Sequence, residues 1–290
     1  MNGHRATPRG SHELKGATTI TVCLPAHNEA ATVGLIVKAI RTGLVEDQHL
    51  VDEIVVLDDH STDDTAAIAT EAGATVIPSD RVLPQFGARR GKGEALWKSL
   101  AAIHSDIIVW VDADIVDFEA HFVSRLVEPL LLDPELMFVK GYYDRPVGAA
   151  QVSGGRVTEL LARPALSLFH PDLATYVQPL SGEFAARRAA LQDIPFAAGY
   201  GVDVALLIDV VDRYGHERVA QADLGVRVHR NRPLDELGPQ ALEVLHAILR
   251  RAGQPVPEEA TLVRPGRPPV RALTDDRPAL SEVPASWLDA

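Results

Sequence analysis

Two aspartates separated by a single alanine are the residues of this chain best suited to metal chemistry. Asp112 and Asp114 directly follow residues 107–111, a uniformly apolar run typical of a strand buried on both faces. Two carboxylates on adjacent backbone can hold a hard divalent cation, directly and through water. An Asp-x-Asp triplet alone is weak evidence, because about one is expected by chance in a chain of this size. Its place after a buried strand strengthens the interpretation, since desolvating two unpaired carboxylates there is costly.

A glycine-flanked lysine is the first candidate phosphate site. Lys92 stands between Gly91 and Gly93 at the start of a predicted helix, where charge and the N-terminal amides of the helix attract anions. The segment is not a P-loop, because three residues rather than four separate Gly87 from Gly91 and neither Ser nor Thr follows the lysine. A solvated basic loop is the alternative.

Two further segments carry candidate ligands. Gly154 and Gly155 precede Arg156, whose planar fork suits a phosphate or carboxylate; a glycine turn followed by a surface arginine is the alternative. In residues 227–233, strand alternation predicts one shared face for three side chains: Arg227, His229 and Asn231. A lone histidine is more often structural, but His229 lies among polar residues at a strand end, where it is a plausible metal ligand.

An alternation of strands and helices positions these residues. Hydrophobic periodicity predicts strands at residues 18–24, 53–57, 75–77 and 107–111, and helices at 30–41, 65–72 and 94–103. This order indicates a parallel sheet covered by helices. Ligands bind beyond the carboxyl ends of such strands, although Asn28 and Asp63, which lie there, are also favoured helix N-caps.

The second half of the chain has a mixed pattern. It predicts strands at residues 137–143 and 224–228, and helices at 156–169, 203–214 and 238–251. We divide the chain into a flexible N-terminus (1–16), a first half (17–115), a second half of the same domain (116–252) and a C-terminal tail (253–290). Seven prolines among residues 252–290 predict a tail that is partly disordered or wraps the surface.

Composition sets the class of protein. The chain has 290 residues, 46% of them hydrophobic, and a formal charge of −12, which excludes a general binder of nucleic acid or anionic membranes. Its single cysteine, Cys23, excludes an intrachain disulfide and is expected in the core. With no hydrophobic signal segment and no apolar run long enough to cross a bilayer, we expect a cytoplasmic location.

Several segments together resemble the retaining glucosyl-3-phosphoglycerate synthases, which are nucleotide-sugar transferases of the GT-A fold. The resemblance covers about residues 18–253, and its segments are PAHNEA, VVLDDHSTDDT, GKGEALWKSLA, VDAD, SGGRVTELLARP, QPLSGEFA, PFAAGYGVDVALLID and LGVRVHRNRPLDELG. It implies an α/β GT-A fold with a mixed sheet. Residues 17–115 would form a Rossmann-like nucleotide-sugar-binding half, and residues 116–252 an acceptor-binding and catalytic half of the same domain.

The resemblance also implies a set of site residues. The donor-binding residues would be Pro25, Ala26, His27, Asn28, Glu29, Asp59, Lys92, Asp112, Ala113 and Tyr200. The acceptor-binding residues would be Gly155, Arg156, Thr158 and Asn231. Mg²⁺ or Mn²⁺ would be held by Asp114, His229 and Asp112, and the catalytic residues would be Asp114, Lys92, Asp203 and Leu180. The chain departs from the family, which usually has Leu, Ser and Glu, at His27, Asp59 and Asp203.

The predicted activity is transfer of a hexose, with UDP-glucose favoured as donor, to 3-phosphoglycerate by a metal-dependent retaining enzyme. No carboxylate clearly fits a nucleophile, so we expect same-face attack, and Glu183 is the residue most able to overturn that expectation. The resemblance further implies a homodimer. Three alternatives remain: a transferase of the same fold with another donor, such as a GDP-sugar, and another acceptor; a non-catalytic nucleotide-sugar binder; and a metal-dependent phosphoesterase.

Overall fold

A seven-stranded mixed sheet organises the computed structural model, which describes residues 14–144, 146–147, 150–151, 155–227 and 234–288. Numbered in chain order, the strands lie in the order β10 (Val219–Val226), β5 (Phe138–Asp144), β8 (Phe184–Arg187), β4 (Ile107–Trp110), β1 (Ile20–Ala26), β2 (Glu53–Asp58) and β3 (Thr75–Pro78). All neighbouring pairs are parallel except those of β8, which is antiparallel to both β4 and β5. The predicted α/β architecture is confirmed.

The first half follows the predicted alternation closely. Its elements are β1 (Ile20–Ala26), α1 (Val33–Ile40), β2 (Glu53–Asp58), α2 (Thr65–Ala72), β3 (Thr75–Pro78), α3 (Lys92–Ala102) and β4 (Ile107–Trp110). The expected stop of α2 is present, since Gly73 adopts the left-handed conformation with φ 101°. Helix α1 begins three residues later than predicted and continues as a π-helical turn over Arg41–Glu46.

The second half is more irregular. Its elements are α4 (His121–Leu132), β5 (Phe138–Asp144), β6 (Pro146–Val147), β7 (Ala150–Gln151), α5 (Arg163–Phe169), β8 (Phe184–Arg187), α6 (Arg188–Leu191), β9 (Phe196–Ala197), α7 (Val202–Tyr214), β10 (Val219–Val226) and α8 (Leu234–Arg251). The single helix predicted over 156–169 is interrupted, because Thr158–Ala162 forms a π-helical turn before α5.

The late strand differs from its prediction in position. Strand β10 starts at Val219, not at Leu224, and ends at Val226. Arg227 follows the last residue of β10. His229 and Asn231, which were predicted to share a strand face with Arg227, lie outside the described part of the chain, so that shared face stays a prediction.

The sheet buries an apolar cluster on each face. In β1, Ile20, Val22 and Leu24 enter one cluster and Cys23 enters the other, as period-two alternation requires. Cys23 is fully buried, which confirms its prediction as a core residue, and burial raises the pKa of its thiol to about 12. Polar residues can be concentrated at the strand ends because the strand interiors supply the core.

Residues 252–288 pack on the domain with short elements of their own. These are β11 (Thr261–Leu262), β12 (Val270–Arg271), β13 (Asp276–Arg277) and α9 (Ala285–Leu288). Strand β13 pairs with β9, and Arg277 is 5% exposed. A segment expected to be partly disordered or to wrap the surface thus sends a charged side chain into the interior. No helix in the described ranges is long and apolar enough to cross a membrane.

Candidate functional site

A cleft of about 430 Å³ opens at the sheet edge where β1, β2 and β4 end. Nine of the ten residues predicted to bind the donor line it: Pro25, Ala26, His27, Glu29, Asp59, Lys92, Asp112, Ala113 and Tyr200. Asp114, Arg90, Gly91 and Ala95 complete the lining. The cleft therefore gathers residues from five separate segments at the place where ligands bind α/β sheets.

The loops after β1 and β2 are tied to each other by side chains. Asn28 Oδ1 accepts a hydrogen bond from the Thr62 backbone at 2.8 Å, and Asp63 Oδ2 accepts one from the Ala30 backbone at 3.2 Å. The N-cap positions of α1 and α2 are Thr32 and Asp64. The helix-capping alternative is wrong for Asn28, whose side chain joins the two loops instead. It holds for Asp63, because Asp63 Oδ1 also accepts the backbone N–H of Thr65, the first residue of α2, at 3.0 Å.

Asp59, which follows β2, connects the floor of the cleft to the loop that carries Lys92. Its Oδ2 accepts the backbone N–H of Gly91 at 3.1 Å, and its Oδ1 contacts Nδ1 of His60 at 3.0 Å and Oγ of Ser79 at 3.2 Å. The backbone carbonyl of Asp59 also contacts Nδ1 of His27 at 2.7 Å. Asp59 thus holds this end of the cleft together as well as lining it.

Lys92 forms an ion bridge between two carboxylates. Its Nζ lies 2.9 Å from Asp112 Oδ1 and 2.9 Å from Asp203 Oδ2. Burial alone lowers the pKa of Lys92, but the two carboxylates outweigh it and raise the pKa well above its usual value. The lysine is a fixed positive charge in the cleft and is mostly shielded, which excludes the solvated-loop alternative.

Glycines surround Lys92 because the backbone has no room for side chains. A Cβ on Gly93 would overlap the carbonyl of Ala197, and one on Gly182 would lie 2.5 Å from both Asp112 Oδ1 and Lys92 Nζ. Gly91 has φ 138°, which favours glycine. The packing of these three positions sets the distance between the lysine and its carboxylate partners.

A buried arginine holds both aspartates of the triplet. Arg227 Nη2 donates to Asp114 Oδ1 at 3.2 Å, and Nη1 lies 3.8 Å from Asp112 Oδ2. Nη1 also pairs with Glu183 Oε1. Burial by itself lowers the pKa of Arg227, and its carboxylate neighbours raise it above the usual value. The arginine is thus a second permanent positive charge beside the triplet.

Glu183 is not accessible from the cleft. It is fully buried, its Oε1 is paired with Arg227, and its Oε2 accepts a hydrogen bond from Ser181 Oγ at 2.9 Å. Burial raises its pKa, while Arg227 opposes that shift. A carboxylate held in this way is not placed to attack a substrate carbon.

Asp203 lies behind Lys92 at the start of α7. Its side chain is 6% exposed; Oδ2 takes the Lys92 bond, and Oδ1 is a buried atom with no hydrogen-bond partner among the described residues. The backbone carbonyl of Asp203 accepts from Lys140 Nζ at 2.9 Å. Burial raises the pKa of Asp203 and lowers that of Lys140 to about 8.

The predicted acceptor residues lie on another segment. Gly155 precedes the helical stretch that begins at Arg156 and leads into the π-helical turn; Arg156 is exposed and Thr158 is buried. Leu180, predicted as catalytic, is half-buried and precedes Ser181. Asn231, the fourth predicted acceptor residue, is outside the described ranges, as is Gly154.

The predicted metal ligands are described in part. Asp112 and Asp114 line the cleft with side chains 28% and 40% exposed, whereas His229 falls outside the described residues. Within those residues, no group of three or more His, Cys, Asp and Glu side chains is arranged to hold a metal ion.

Two functional candidates were missed from the sequence. Arg227 was noted only for its strand alternation, and its pairing with Glu183 joins positions 44 residues apart. Lys140 is the one charged residue in the interior of strand β5, whose other charged residue, Asp144, ends the strand. That lysine was a signal for a buried partner, but the sequence analysis treated it only as part of the strand.

Comparison with known proteins adds a family match. Residues 21–193 match the family model described as glycosyl transferase family 2. The chain is similar to glucosyl-3-phosphoglycerate synthase of Petrotoga mobilis, with 48% identity over 236 residues that cover 80% of this chain and 73% of that protein. It is also similar to glucosyl-3-phosphoglycerate synthase of Mycobacterium tuberculosis, with 48% identity over 248 residues, or 83% of this chain and 76% of that protein.

Solved structures agree with the sequence comparison. A crystal structure of the M. tuberculosis synthase with UDP matches at a TM-score of 0.87 and 43% identity, covering 97% of each chain. Another, in complex with Mn²⁺, UDP-glucose and phosphoglyceric acid, matches at a TM-score of 0.87 and 44% identity, covering 97% of this chain and 96% of that one.

Proposed function

Because this chain belongs to the glucosyl-3-phosphoglycerate synthases within glycosyl transferase family 2, we propose that it transfers glucose from UDP-glucose to 3-phosphoglycerate. The observation that carries the proposal is the ion bridge of Lys92 to Asp112 and Asp203 in the wall of a cleft large enough for a nucleotide sugar. The chain has the α/β GT-A fold that this chemistry uses in its relatives.

The fixed charges of the cleft fit a diphosphate. Lys92 and Arg227 are cations whose positions are set by buried ion pairs rather than by flexible surface side chains. Preorganised charges of this kind stabilise negative charge that develops in a transition state without reorganising. We assign Lys92 to the leaving diphosphate and Arg227 to the positioning of Asp112 and Asp114.

The carboxylates of Asp112 and Asp114 fit a divalent cation. They are hard oxygen donors on the cleft lining, as Mg²⁺ and Mn²⁺ require, and Mn²⁺ accompanies UDP-glucose in the M. tuberculosis synthase. Asp114 would hold the ion, with Asp112 and His229 as the further proposed ligands. When bound, the cation supplies charge stabilisation for the departing diphosphate.

The proposed reaction retains the anomeric configuration. The bond between C1 of glucose and the β-phosphate oxygen breaks, the acceptor hydroxyl oxygen bonds to C1 from the same face, and its proton passes to the departing phosphate. Same-face attack is supported by Glu183, whose two oxygens are held by Arg227 and Ser181 away from the cleft.

Asp203 is proposed to bind the sugar. Its Oδ2 is fixed by Lys92, so Oδ1, which has no hydrogen-bond partner in the described ranges, is an acceptor oriented by the ion pair of its own carboxylate. A buried acceptor without a partner is costly, and a sugar hydroxyl would satisfy it. Asp203 would therefore position the glucose relative to Lys92.

The acceptor is proposed to bind through Arg156. Its guanidinium is exposed at the start of a helical stretch, where both its fork and the backbone amides favour a phosphate. Gly155, Thr158 and Asn231 are the other proposed contacts. The net charge of −12 would otherwise repel an anionic acceptor.

We further propose that the enzyme acts in the cytoplasm as a homodimer. The single buried thiol of Cys23 suits a reducing compartment, and the family resemblance favours the dimer. Sedimentation equilibrium at micromolar concentration tests the oligomeric state, and a monomer would contradict it.

The experiment for this function is a donor-by-acceptor matrix. UDP-glucose and GDP-glucose are each combined with 3-phosphoglycerate, glycerol 3-phosphate or glycerol, with Mn²⁺ or with EDTA, and nucleotide release is followed. The proposal expects the highest kcat/KM for UDP-glucose with 3-phosphoglycerate and no turnover in EDTA. A preference for GDP-glucose and an uncharged acceptor would favour the alternative transferase, in which His27 and Asp59 select another base.

A further inference from the structure

The C-terminal segment lies directly against the loop that carries Tyr200 to the cleft. Strand β13 pairs antiparallel with β9, and the backbone N–H of Ala198 donates to the carbonyl of Asp275 at 3.0 Å. Residues 198–200 therefore extend from a strand whose only partner among the described strands is β13. Movement of the C-terminal segment would move this loop.

Arg277 connects the same segment to the helix of Lys92. Its Nε donates to Glu94 Oε2 at 2.5 Å and its Nη2 to Glu94 Oε1 at 2.8 Å, with a further bond from Nη2 to the carbonyl of Phe86 at 3.0 Å. Its guanidinium also lies 5.4 Å from the ring centre of Trp97. A buried bidentate pair of this kind fixes both partners strongly, and Glu94 is two residues after Lys92.

The two loops are also fixed to each other at this place. The Glu94 N–H donates to the carbonyl of Ala198 at 3.1 Å. Glu243 on α8 accepts the Tyr200 N–H at 2.8 Å and the Leu273 N–H at 2.9 Å, one on each carboxylate oxygen. One carboxylate thus couples a lining residue of the cleft to the C-terminal segment.

We propose that residues 273–278, here called the C-terminal brace, are a working part of the donor site, with Arg277 and Glu243 as positioning residues. The brace holds Lys92 and Tyr200 at their separation across the cleft. The kinetic test of this inference rests on the proposed function, whereas its test by UDP binding does not. If the segment only stabilised the fold, changing it would weaken the binding of donor and acceptor alike.

The test compares an arginine-to-lysine change in the C-terminal brace with the same change at Arg187 on β8, a strand of the main sheet. Arg277→Lys keeps the charge and loses the bidentate fork. Arg187 is the matched control: it donates to the carbonyls of Leu136 at 2.8 Å and Leu130 at 2.6 Å, and its neighbour in the sheet is Ile107, at the start of β4, away from the cleft. Arg277→Lys is expected to lower kcat/KM for UDP-glucose about tenfold through misplacement, with KM for 3-phosphoglycerate within about twofold.

Calorimetric titration with UDP and Mn²⁺ gives a second readout. UDP should bind about tenfold more weakly to Arg277→Lys than to Arg187→Lys or the unaltered protein. Weaker UDP binding in a protein that does not glucosylate 3-phosphoglycerate would refute the proposed function and support the brace. Unchanged donor kinetics and UDP binding in a folded Arg277→Lys protein would overturn the brace.

A second variant keeps the proposal testable if Arg277→Lys does not fold. Glu243→Gln keeps the shape but replaces one accepting oxygen with an NH₂ group, so one of the bonds to Tyr200 and Leu273 is lost. The brace predicts the same selective loss of donor affinity. Equal losses for donor and acceptor in this variant would show a general structural role and overturn the proposal.

Discussion

Gly182→Ala should disable the cleft while leaving the fold intact. The added Cβ would lie 2.5 Å from Asp112 Oδ1 and 2.5 Å from Lys92 Nζ, whereas ordinary contacts begin at 3.4 Å. The side chains must therefore separate from the new methyl group by about 1 Å, and a misplacement of that size costs about 100-fold in rate. This corresponds to about 2.7 kcal/mol of transition-state stabilisation, so we expect kcat/KM to fall about 100-fold.

The assay is UDP release from UDP-glucose with 3-phosphoglycerate and Mn²⁺, accompanied by a thermal melt. Gly43→Ala is the matched control, because its Cβ would meet only the Ala120 Cβ at 3.1 Å, on a helical turn away from the cleft. Its kcat/KM should stay within about twofold of the unaltered protein. A folded Gly182→Ala protein with a comparable rate would refute the claim that the contact of Lys92 with Asp112 governs turnover.

Four further predictions concern the site and two buried residues. Arg156→Lys should raise KM for 3-phosphoglycerate much more than KM for UDP-glucose, because the bidentate fork is lost. If the variant and the unaltered protein have the same KM for 3-phosphoglycerate, Arg156 is not part of the acceptor site. Asp114→Ala should lower metal-dependent turnover by several orders of magnitude without unfolding the protein, and a fully active variant would exclude the aspartate triplet from the catalytic mechanism. Lys140 loses its proton near pH 8 in the folded state but at about 10.5 when unfolded, so the unfolded chain binds more protons in that window and stability should rise with pH. Relative to Lys140→Met, the urea-derived free energy of unfolding should gain roughly 2 kcal/mol between pH 7 and 9.5; a constant difference would contradict the lowered pKa of Lys140 in the folded state. Cys23 should not react with a thiol reagent at pH 8 until the chain unfolds, because its pKa is about 12, and rapid labelling of the native protein would contradict that.

Local patterns were enough to predict the strands that carry the cleft. The apolar runs of β1, β2 and β4 and the polar residues after them indicated both the parallel sheet and its binding edge. The residue types at Asp112 and Lys92 were also informative, because charged groups beside buried strands need partners.

The partnerships themselves could not be read from the sequence. Lys92 and Asp203 are 111 residues apart, and nothing in local periodicity specifies which strands become neighbours across that distance. Strand β8 has only four residues, too few for a clear alternation, yet its antiparallel insertion brings Glu183 beneath the triplet. Arg277 follows a proline-rich stretch without periodicity, so its burial depends on tertiary packing alone.

The most direct test of the proposed function is the fate of a labelled glucose. UDP-glucose carrying ¹³C in the sugar is incubated with 3-phosphoglycerate, Mn²⁺ and the purified protein, and the products are separated and analysed by mass spectrometry. We predict that the label appears in glucosyl-3-phosphoglycerate in the same molar amount as the UDP released. Label found only in free glucose, or in a glycoside formed solely with an uncharged acceptor, would contradict the proposed function.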